Sequence, residues 1–342
     1  MSPKSFEIFC VSLGMVIIDD IYMANREQPL KNVLGGSATF VTLGQRLFTK
    51  SSQIGCLVVA GSDFPSSVRT QIEDWGVQTV VRRRAEPSTR GKLVYKDDTF
   101  GPKTFEYVHP PLRASPTDLI GTSLLHAKAF HLFGTPQEVL AQAPELLRLH
   151  GDGYARPLIV WEPLPPACIP ENYETFVHAC KLVDIFSPNH LELDALFGSN
   201  IGDTFDVTHL EQCARTLVDE GIGPEGSGSL IVRAGENGAL ITSKSIPPTW
   251  FPPYYDIDSL KVVDPTGAGN TFLGGYIAGL HATDGDPKQA MHYGTVAASF
   301  ALEQIGLSEV TQADGRVFCN GVAVLERLEE CKTRIVYAKH SK

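Results

Sequence analysis

The stretch from Asp264 to Asn270 has the residue types of an anion-binding turn. It reads Asp-Pro-Thr-Gly-Ala-Gly-Asn, and it stands between a short β-branched run and a segment of small and apolar residues that is typical of a helix. Gly267, Ala268 and Gly269 leave the backbone bare, so successive N–H groups can point at one spot. The helix start adds further N–H groups and the positive end of the dipole. The pattern predicts a phosphoryl site, although a glycine-rich connection that only permits close packing is the alternative.

A second candidate follows the short apolar run that ends at Ser187. Asn189 and Glu192 stand three residues apart at the start of a predicted helix and therefore share a face. Their oxygen atoms suit Mg²⁺ with its waters and a nucleotide phosphate. The alternative is a capping box, with Asn189 as the N-cap and Glu192 at the third helical position.

Two further candidates lie near the N-terminus. Asp19 follows the first predicted strand, and the carboxyl end of a parallel strand is a common place for a ligand. A solvated loop acid is the alternative, and the neighbouring Asp20 leaves open which carboxylate is used. Gly35 and Gly36 offer bare backbone to a substrate, and Ser37 after them is a suitable helix N-cap.

Together these stretches resemble the motifs of the PfkB (ribokinase-like) carbohydrate kinases. The C-terminal signature of that family reads Asp-Thr-x-Gly-Ala-Gly-Asp, and Asn270 stands where the family has its catalytic Asp. Phe40, after the Gly-Gly pair, stands where members that bind ribose or fructose often have Asn. Segments resembling family motifs keep the family order over roughly residues 8–306: Gly14–Asp19, Leu34–Phe40, Gly61–Phe64, Asn189–Glu192, Leu230–Ala239, Asp264–Asn270 and His292–Ser299. The Gly-Gly-Ser-Ala-Thr variant at residues 35–39 and Asn270 together suggest a divergent eukaryotic branch similar to the fungal maintenance-of-killer-like proteins.

The resemblance implies transfer of a phosphoryl group from ATP to a hydroxyl of a sugar or nucleoside-like small molecule. It implies ATP and Mg²⁺ as cofactors, with K⁺ as a further cation. Asn270 holds the position of the base, beside an anion hole formed by Gly267, Ala268 and Gly269. The implied substrate-binding residues are Asp19, Gly35 and Gly36. The implied nucleotide-binding residues are Asn189, Arg233, Gly235, Gly238 and Asp264, and Glu192 holds Mg²⁺ through water. Many members have Thr where Arg233 stands, and an Arg there can meet a phosphate bidentately.

Asn270 leaves two hypotheses open for the chemistry. An amide cannot usefully accept a proton near neutral pH, although its oxygen can orient the attacking hydroxyl. A general base contributes on the order of 10²–10⁴ in rate, while positioning and charge neutralisation carry most of the remaining catalysis. The chain is therefore either a weakened kinase or one with another base, or it is a pseudokinase that binds nucleotide or sugar and acts as a regulatory or structural protein.

Composition excludes several classes of protein. The chain of 342 residues is 43% hydrophobic and 20% charged, with a formal net charge of −10, which argues against nucleic acid as a partner. The seven cysteines are scattered and never spaced Cys-x-x-Cys, so a disulfide framework or zinc site is not expected and a reducing compartment is. The N-terminus lacks the pattern of a signal peptide, and no segment has the length and apolarity of a membrane span. We expect a cytoplasmic protein.

Apolar runs bounded by turn residues alternate with helical patterns, which indicates a parallel sheet with crossover helices. The predicted strands are Ile8–Leu13, Gln53–Ala60, Ala129–Phe133, Leu158–Trp161, Ile185–Ser187, Leu230–Arg233 and Ala239–Thr242. The predicted helices are Ser37–Phe48, Phe64–Trp75, Gln137–His150, Tyr173–Ala179, Leu191–Phe197, Thr208–Glu220, Gly269–His281, Pro287–Gln304 and Val322–Lys332.

One region breaks this alternation. Thr79–Arg84, Gly91–Lys96 and Lys103–Val108 are strand-like without intervening helices, which predicts an antiparallel appendage that projects from the main sheet. The family resemblance implies that it is a β lid over the substrate. We expect one ribokinase-like α/β domain over residues 1–342, with a central mostly parallel sheet flanked by helices and a small β lid at 77–110 with parts of 19–35. The protein is expected to be a monomer or a homodimer through the lid.

Overall fold

The computed structural model describes residues 7–96, 103–199, 205–256 and 258–340, with side chains as far as residue 334. The predicted turn at residues 97–102 lies outside these ranges. The chain divides into two compact units, Met1–Leu124 together with Tyr254–Lys342, and Leu125–Pro253.

The described strands are β1 (Cys10–Leu13), β2 (Ile17–Tyr22), β3 (Leu30–Gly35), β4 (Ile54–Ala60), β5 (Gln78–Arg83), β6 (Arg90–Tyr95), β7 (Lys103–Tyr107), β8 (Ala129–Gly134), β9 (Leu158–Pro163), β10 (Ile185–Phe186), β11 (Ser229–Arg233), β12 (Ala239–Ser243), β13 (Thr249–Phe251), β14 (Val310–Ala313), β15 (Arg316–Cys319) and β16 (Val322–Ala323). The described helices are α1 (Ser37–Arg46), α2 (Ser66–Glu73), α3 (Pro136–His150), α4 (Tyr173–Cys180), α5 (His190–Leu196), α6 (Val207–Glu220), α7 (Ala268–Ala282), α8 (Pro287–Ala301) and α9 (Val324–His340).

In the first unit, β1, β4 and β5 are parallel and adjacent in that order. Strand β4 is buried along its whole length, as expected for a strand covered on both faces. Helix α1 packs against β4 and against α7. The approach of α1 to α7 requires a glycine, because a Cβ on Gly274 would stand 2.1 Å from the carbonyl oxygen of Val41.

A separate four-stranded sheet in the first unit has the order β3-β2-β6-β7, and we call it the lid sheet. Strand β2 pairs antiparallel with β3 and parallel with β6, and β6 pairs antiparallel with β7. The prediction that the projecting segment begins at residue 77 is wrong for its first strand. Gln78–Arg83 instead pairs in parallel with β4, because its apolar Val80 and Val81 continue the sheet next to Leu57 and Val58.

In the second unit, the strand order is β13-β12-β11-β10-β9-β8. Strands β8 to β11 are parallel, and β12 and β13 continue the sheet in antiparallel hairpins. The helices α3, α4, α5 and α6 connect these strands. The core of this unit includes Trp161, Phe176 and Phe186, whose rings stack or tilt against one another at 4.6–5.8 Å between centroids.

The predicted fold class is confirmed. The chain is an α/β protein with mostly parallel sheet strands, flanking helices and a small additional sheet. Sequence reasoning missed the three-stranded sheet β14-β15-β16, and it placed Val322 and Ala323 in the last helix although they form β16. The single domain over residues 1–342 stays a prediction.

Candidate active site

The turn before α7 has the conformation that its sequence predicts. Gly267 is the N-cap of α7 and is left-handed, with φ +78° and ψ −7°. A Cβ at Gly267 would stand 2.3–2.4 Å from three ring carbons of Phe40. Both the backbone conformation and the space therefore demand glycine at this position.

Two N–H groups of this turn lie open at the positive end of the helix. The Ala268 N–H donates to the carbonyl of Pro265 at 3.2 Å, so it is engaged locally. The N–H groups of Gly267 and Gly269 have no hydrogen-bond partner within the described part of the chain. Donors at the start of a 15-residue helix favour an anion, because their dipoles add to that of the helix. Of the three predicted amides, those of Gly267 and Gly269 are the ones that geometry leaves for this role.

Asn270 stands at the third position of α7, half-buried, on the turn that follows these amides. Its side chain is neutral and carries an oxygen and an NH₂ group. The position can orient a hydroxyl but brings no base to it.

Asp264 is joined to the lid sheet at the start of the same turn. Its carboxylate accepts a hydrogen bond from the Tyr95 hydroxyl at 2.6 Å and from the Thr266 N–H at 3.0 Å, and the Lys103 ammonium lies 3.2 Å from its Oδ1. Lys103 also contacts the Thr266 hydroxyl. Burial and the hydrogen bond to Asp264 raise the pKa of Tyr95, and Asp19 adds to this at longer range. The lid sheet thus contacts the turn at Asp264–Asn270, which is the predicted anion-binding turn, directly.

Asp19 lies on the bare backbone of two lid-sheet glycines. A Cβ on Gly35 would stand 2.4 Å from its Oδ2, and one on Gly91 would stand 2.1 Å from its Oδ1. The Oδ1 atom is buried without a hydrogen-bond partner in the described residues. Burial, with the nearby charge of Asp20, raises the pKa of Asp19 to about 7. A buried acceptor without a partner suits a hydroxyl-bearing ligand.

The neighbouring carboxylate of Asp20 is committed elsewhere. Its Oδ2 lies 2.6 Å from the Lys31 ammonium, and its Oδ1 accepts from the Asn32 N–H at 3.3 Å. Of the two carboxylates between which the sequence left the choice open, Asp19 is therefore the one with an unpartnered oxygen among the described residues, and its substrate-binding role stays a prediction. Gly36 is the N-cap of α1, and a Cβ there would stand 2.3 Å from the Met15 carbonyl oxygen. The interpretation of Ser37 as an N-cap is wrong, because its hydroxyl accepts from the Met15 N–H at 3.0 Å instead.

In the second unit, Asn189 and Glu192 form the capping box that was the alternative to a ligand pair. The Asn189 Oδ1 accepts from the Glu192 N–H at 2.8 Å. In return the two Glu192 oxygens accept from the Asn189 N–H and Nδ2, both at 2.7 Å. Burial raises the pKa of Glu192 to about 7, although Arg233 and the Asn189 N–H act in the opposite direction.

Arg233 lies between two buried carboxylates. Its Nη1 is 2.7 Å from Glu162 Oε1, and its Nη2 is 3.6 Å from Glu192 Oε2. Nη2 also donates to the Ser187 carbonyl at 2.9 Å. Both terminal nitrogens of Arg233 therefore contact protein oxygens, and its bidentate contact with a phosphate stays a prediction.

Glu162 and His131 complete this buried network, and sequence reasoning missed both. The His131 Nε2 lies 3.2 Å from Glu162 Oε2. Burial alone would raise the pKa of Glu162, but the charge of Arg233 and the contact with His131 outweigh it and lower that pKa. An acid at the end of the apolar strand β9 was the available signal.

The remaining predicted residues, Gly235 and Gly238, lie in the turn between β11 and β12. Both have positive φ, +57° and +85°. Gly235 faces open space, whereas a Cβ on Gly238 would stand 2.1 Å from the Phe251 carbonyl oxygen. Their nucleotide-binding role, like those of Asn189 and Arg233, stays a prediction.

The contacts of Glu192 limit how it could hold the predicted Mg²⁺ ion. No group of three or more His, Cys, Asp or Glu side chains suitable for a metal occurs among the residues that the structure describes. Both oxygens of Glu192 already accept from Asn189, so contact with Mg²⁺ through water is the arrangement that fits this residue.

Within the described ranges, no helix is both long and apolar enough to pass through a bilayer.

Comparison with known proteins decides the family. The profile of the pfkB family carbohydrate kinases matches residues 8–314. The chain belongs to this family. A protein of Schizosaccharomyces pombe described as uncharacterized is 33% identical over 349 residues, covering 96% of this chain and 94% of that relative. Protein MAK32 of Saccharomyces cerevisiae is 29% identical over 334 residues, and the match covers 93% of this chain and 90% of MAK32.

The fold matches solved structures that are described as ribokinases. A putative ribokinase II from Escherichia coli, in complex with ATP and Mg²⁺, superposes with a TM-score of 0.67 at 18% identity. The match covers 96% of this chain and 99% of that protein. The predicted family and its fungal branch are therefore confirmed, with MAK32 among the similar proteins.

Proposed function

We propose that this pfkB family member is an ATP-dependent phosphotransferase that acts slowly on a hydroxyl of a sugar or nucleoside-like small molecule. The observation that carries the proposal is the Gly267 turn, whose left-handed N-cap leaves the N–H groups of Gly267 and Gly269 open at the start of α7. Such a turn is a phosphate site by its dipoles and its bare backbone. The family match over residues 8–314 supports the same reaction class.

Each group in the first unit has a distinct part in this proposal. The N–H groups of Gly267 and Gly269 hold the transferred phosphoryl group, and ATP with Mg²⁺ supplies that group when bound. Asn270 orients the attacking hydroxyl through its amide oxygen. Asp19, whose buried Oδ1 has no partner among the described residues, accepts hydrogen bonds from other hydroxyls of the substrate. Without a base at residue 270, the hydroxyl proton leaves to solvent or phosphate, and turnover is slow.

A second function is favoured by the buried network in the other unit. Arg233 contacts Glu162 and Glu192 through its terminal nitrogens, and Asn189 binds both oxygens of Glu192, so these side chains pair with one another, although the buried Arg233 Nε has no partner among the described residues. Residues that stabilise the fold in this way need no catalytic role. The second proposal is a pseudokinase that binds nucleotide or sugar and acts as a regulatory or structural protein.

Two measurements on the purified protein distinguish these functions. Calorimetry with ATP and Mg²⁺ tests binding, and transfer of the terminal phosphate from labelled ATP to a panel of sugars and nucleosides tests turnover. The phosphotransferase predicts ATP binding and a slow labelled product, whereas the pseudokinase predicts binding of nucleotide or sugar without a product. Absence of ATP binding contradicts the phosphotransferase, and binding without any product from the panel supports the pseudokinase.

A further inference from the structure

Lys103 and Tyr95 form a cross-strand pair that reaches from the lid sheet to the anion-binding turn. They lie opposite each other at the ends of β7 and β6. The Lys103 Nζ is 3.2 Å from Asp264 Oδ1, contacts the Thr266 hydroxyl and lies 5.4 Å from the centre of the Tyr95 ring. The lysine side chain is 25% exposed, and that of Asp264 is only 2% exposed.

The charge on Asp264 poses a problem for a neighbouring anion site. Asp264 stands three residues before Gly267, and the buried carboxylate also accepts from the Thr266 N–H of the same turn. A negative charge so close to the open amides would repel a phosphate, and little water screens it. The carboxylate accepts hydrogen bonds from Tyr95 and Thr266, but these donors are neutral, and a buried charge also needs a pairing charge for its own stability. The Lys103 ammonium meets both needs, because it places a single positive charge against Asp264 Oδ1 and the Thr266 hydroxyl oxygen.

We propose that Lys103 is a built-in monovalent cation for the anion-binding turn, in place of a free K⁺ ion. The oxygens of Asp264 and Thr266 that would attract a hard cation already contact the ammonium. This proposal rests on the proposed function for its effect on nucleotide binding, but its effect on stability does not. Wild-type protein then needs no K⁺ for its stability or for ATP binding, and a variant without the lysine needs K⁺ for both.

The experiment compares Lys103→Met with wild type in choline chloride and in KCl, both at about 0.1 M ionic strength. The thermal midpoint without nucleotide is measured first, followed by the affinity for ATP by calorimetry. In choline we expect Lys103→Met to lose about 3 °C and to bind ATP about tenfold more weakly. KCl restores most of both losses, while wild type gives the same values in the two salts.

Three further variants show whether the charge on Asp264 causes the response to K⁺. Lys92→Met removes another lid-sheet lysine, whose ammonium lies 5.4 Å from the Tyr22 ring, and it should not create a response to K⁺. Lys103→Arg keeps the charge and should remain independent of K⁺. The double variant Lys103→Met with Asp264→Asn removes both charges, so its thermal midpoint should be the same in KCl and in choline.

The outcomes separate this proposal from the proposed function. If no variant binds ATP, the proposed function fails, and the thermal midpoints still decide the role of Lys103. A wild-type protein that is itself stabilised by K⁺ over choline overturns the proposal even if Lys103→Met does not fold. So does a Lys103→Met variant that responds equally to KCl and choline.

Discussion

The ring of Phe40 lies directly against the backbone of Gly267. Three ring carbons stand within 2.3–2.4 Å of the position that a Cβ at residue 267 would take. Phe40 is on α1 and Gly267 is the N-cap of α7, so the aromatic ring holds the start of α7 in place from one side. The contact joins one motif position at which the chain departs from the family resemblance, Phe40, to one that it keeps, Gly267.

Gly267→Ala should damage nucleotide binding more than an ordinary glycine substitution does. The left-handed conformation costs a non-glycine residue about 1–2 kcal/mol, and the collision with Phe40 adds to this and displaces the open amides. Gly285→Ala is the matched control, because Gly285 also has positive φ, +87°, but faces open space. We expect both variants to lose stability in urea unfolding and only Gly267→Ala to lose affinity for ATP by calorimetry. Equal ATP affinity in the two variants would show that the turn does not bind phosphate.

Local patterns in the sequence predicted most of the elements near the site. The small and apolar residues after Gly267 predicted α7 to within one residue at each end, and Asn189 with Glu192 predicted both a helix start and its capping box. These features depend on residues close together in the chain. The left-handed Gly267 belongs to the same class, because glycine is the residue that tolerates such a turn.

Contacts over long distances in the sequence were not predictable from the same patterns. Lys103 meets Asp264, which is 161 residues away, and Glu162 meets Arg233 from a neighbouring part of the sheet. Each pair depends on how strands and turns are brought together in three dimensions, and periodicity carries no such information. Strand β5 illustrates the same limit, since its sequence suited a hairpin as well as a parallel edge.

Asp19→Asn should stabilise the protein at high pH. The folded state raises the pKa of Asp19 from 3.8 to about 7. A raised pKa means that the contribution of this carboxyl to the free energy of unfolding is fully present below about pH 4 and is lost as the pH rises to about 7. Because an amide does not titrate, we expect Asn to be more stable than Asp by on the order of 2–4 kcal/mol at pH 8 and by little at pH 4.

Urea unfolding at the two pH values measures this difference, and Asp20→Asn is its control. Asp20 pairs with Lys31 at the surface, so its replacement should change stability by less than about 1 kcal/mol. An Asp19→Asn variant that is equally destabilised at pH 4 and pH 8 would contradict the assignment of Asp19 as a carboxyl whose Oδ1 is buried without a partner in the described residues.

Arg233→Met should be strongly destabilising near neutral pH. It leaves Glu162 and Glu192 without their shared cation, and an unpaired buried charge costs about 3–5 kcal/mol. The pKa of Glu162 is lowered in the folded state, so the contribution of this pair is present above its ordinary value of 4.5 and is lost as the pH falls through the lower folded value. The cost of the substitution should therefore shrink in acid.

The free energy of unfolding at pH 7 and pH 4 measures this effect, with Arg69→Met as the matched control. Arg69 pairs with Glu73 on an exposed helix face, where such a pair is worth about 0.5 kcal/mol or less. Adding Glu162→Gln to Arg233→Met should recover part of the loss. If Arg233→Met were as mild as Arg69→Met, the buried network would not have the structural role assigned to it.

The most direct measurement compares ATP-dependent phosphorylation by wild-type protein, Asn270→Asp and Asn270→Ala, using the substrate that gives the fastest wild-type product. The proposed function predicts that Asn270→Asp raises kcat by on the order of 10²–10⁴, because it supplies the missing base beside the Gly267 and Gly269 amides. It also predicts that Asn270→Ala lowers kcat further, while ATP affinity stays within about threefold in all three proteins. A fast wild-type enzyme whose kcat is unchanged by Asn270→Asp would contradict the assignment of Asn270 as the residue that limits turnover.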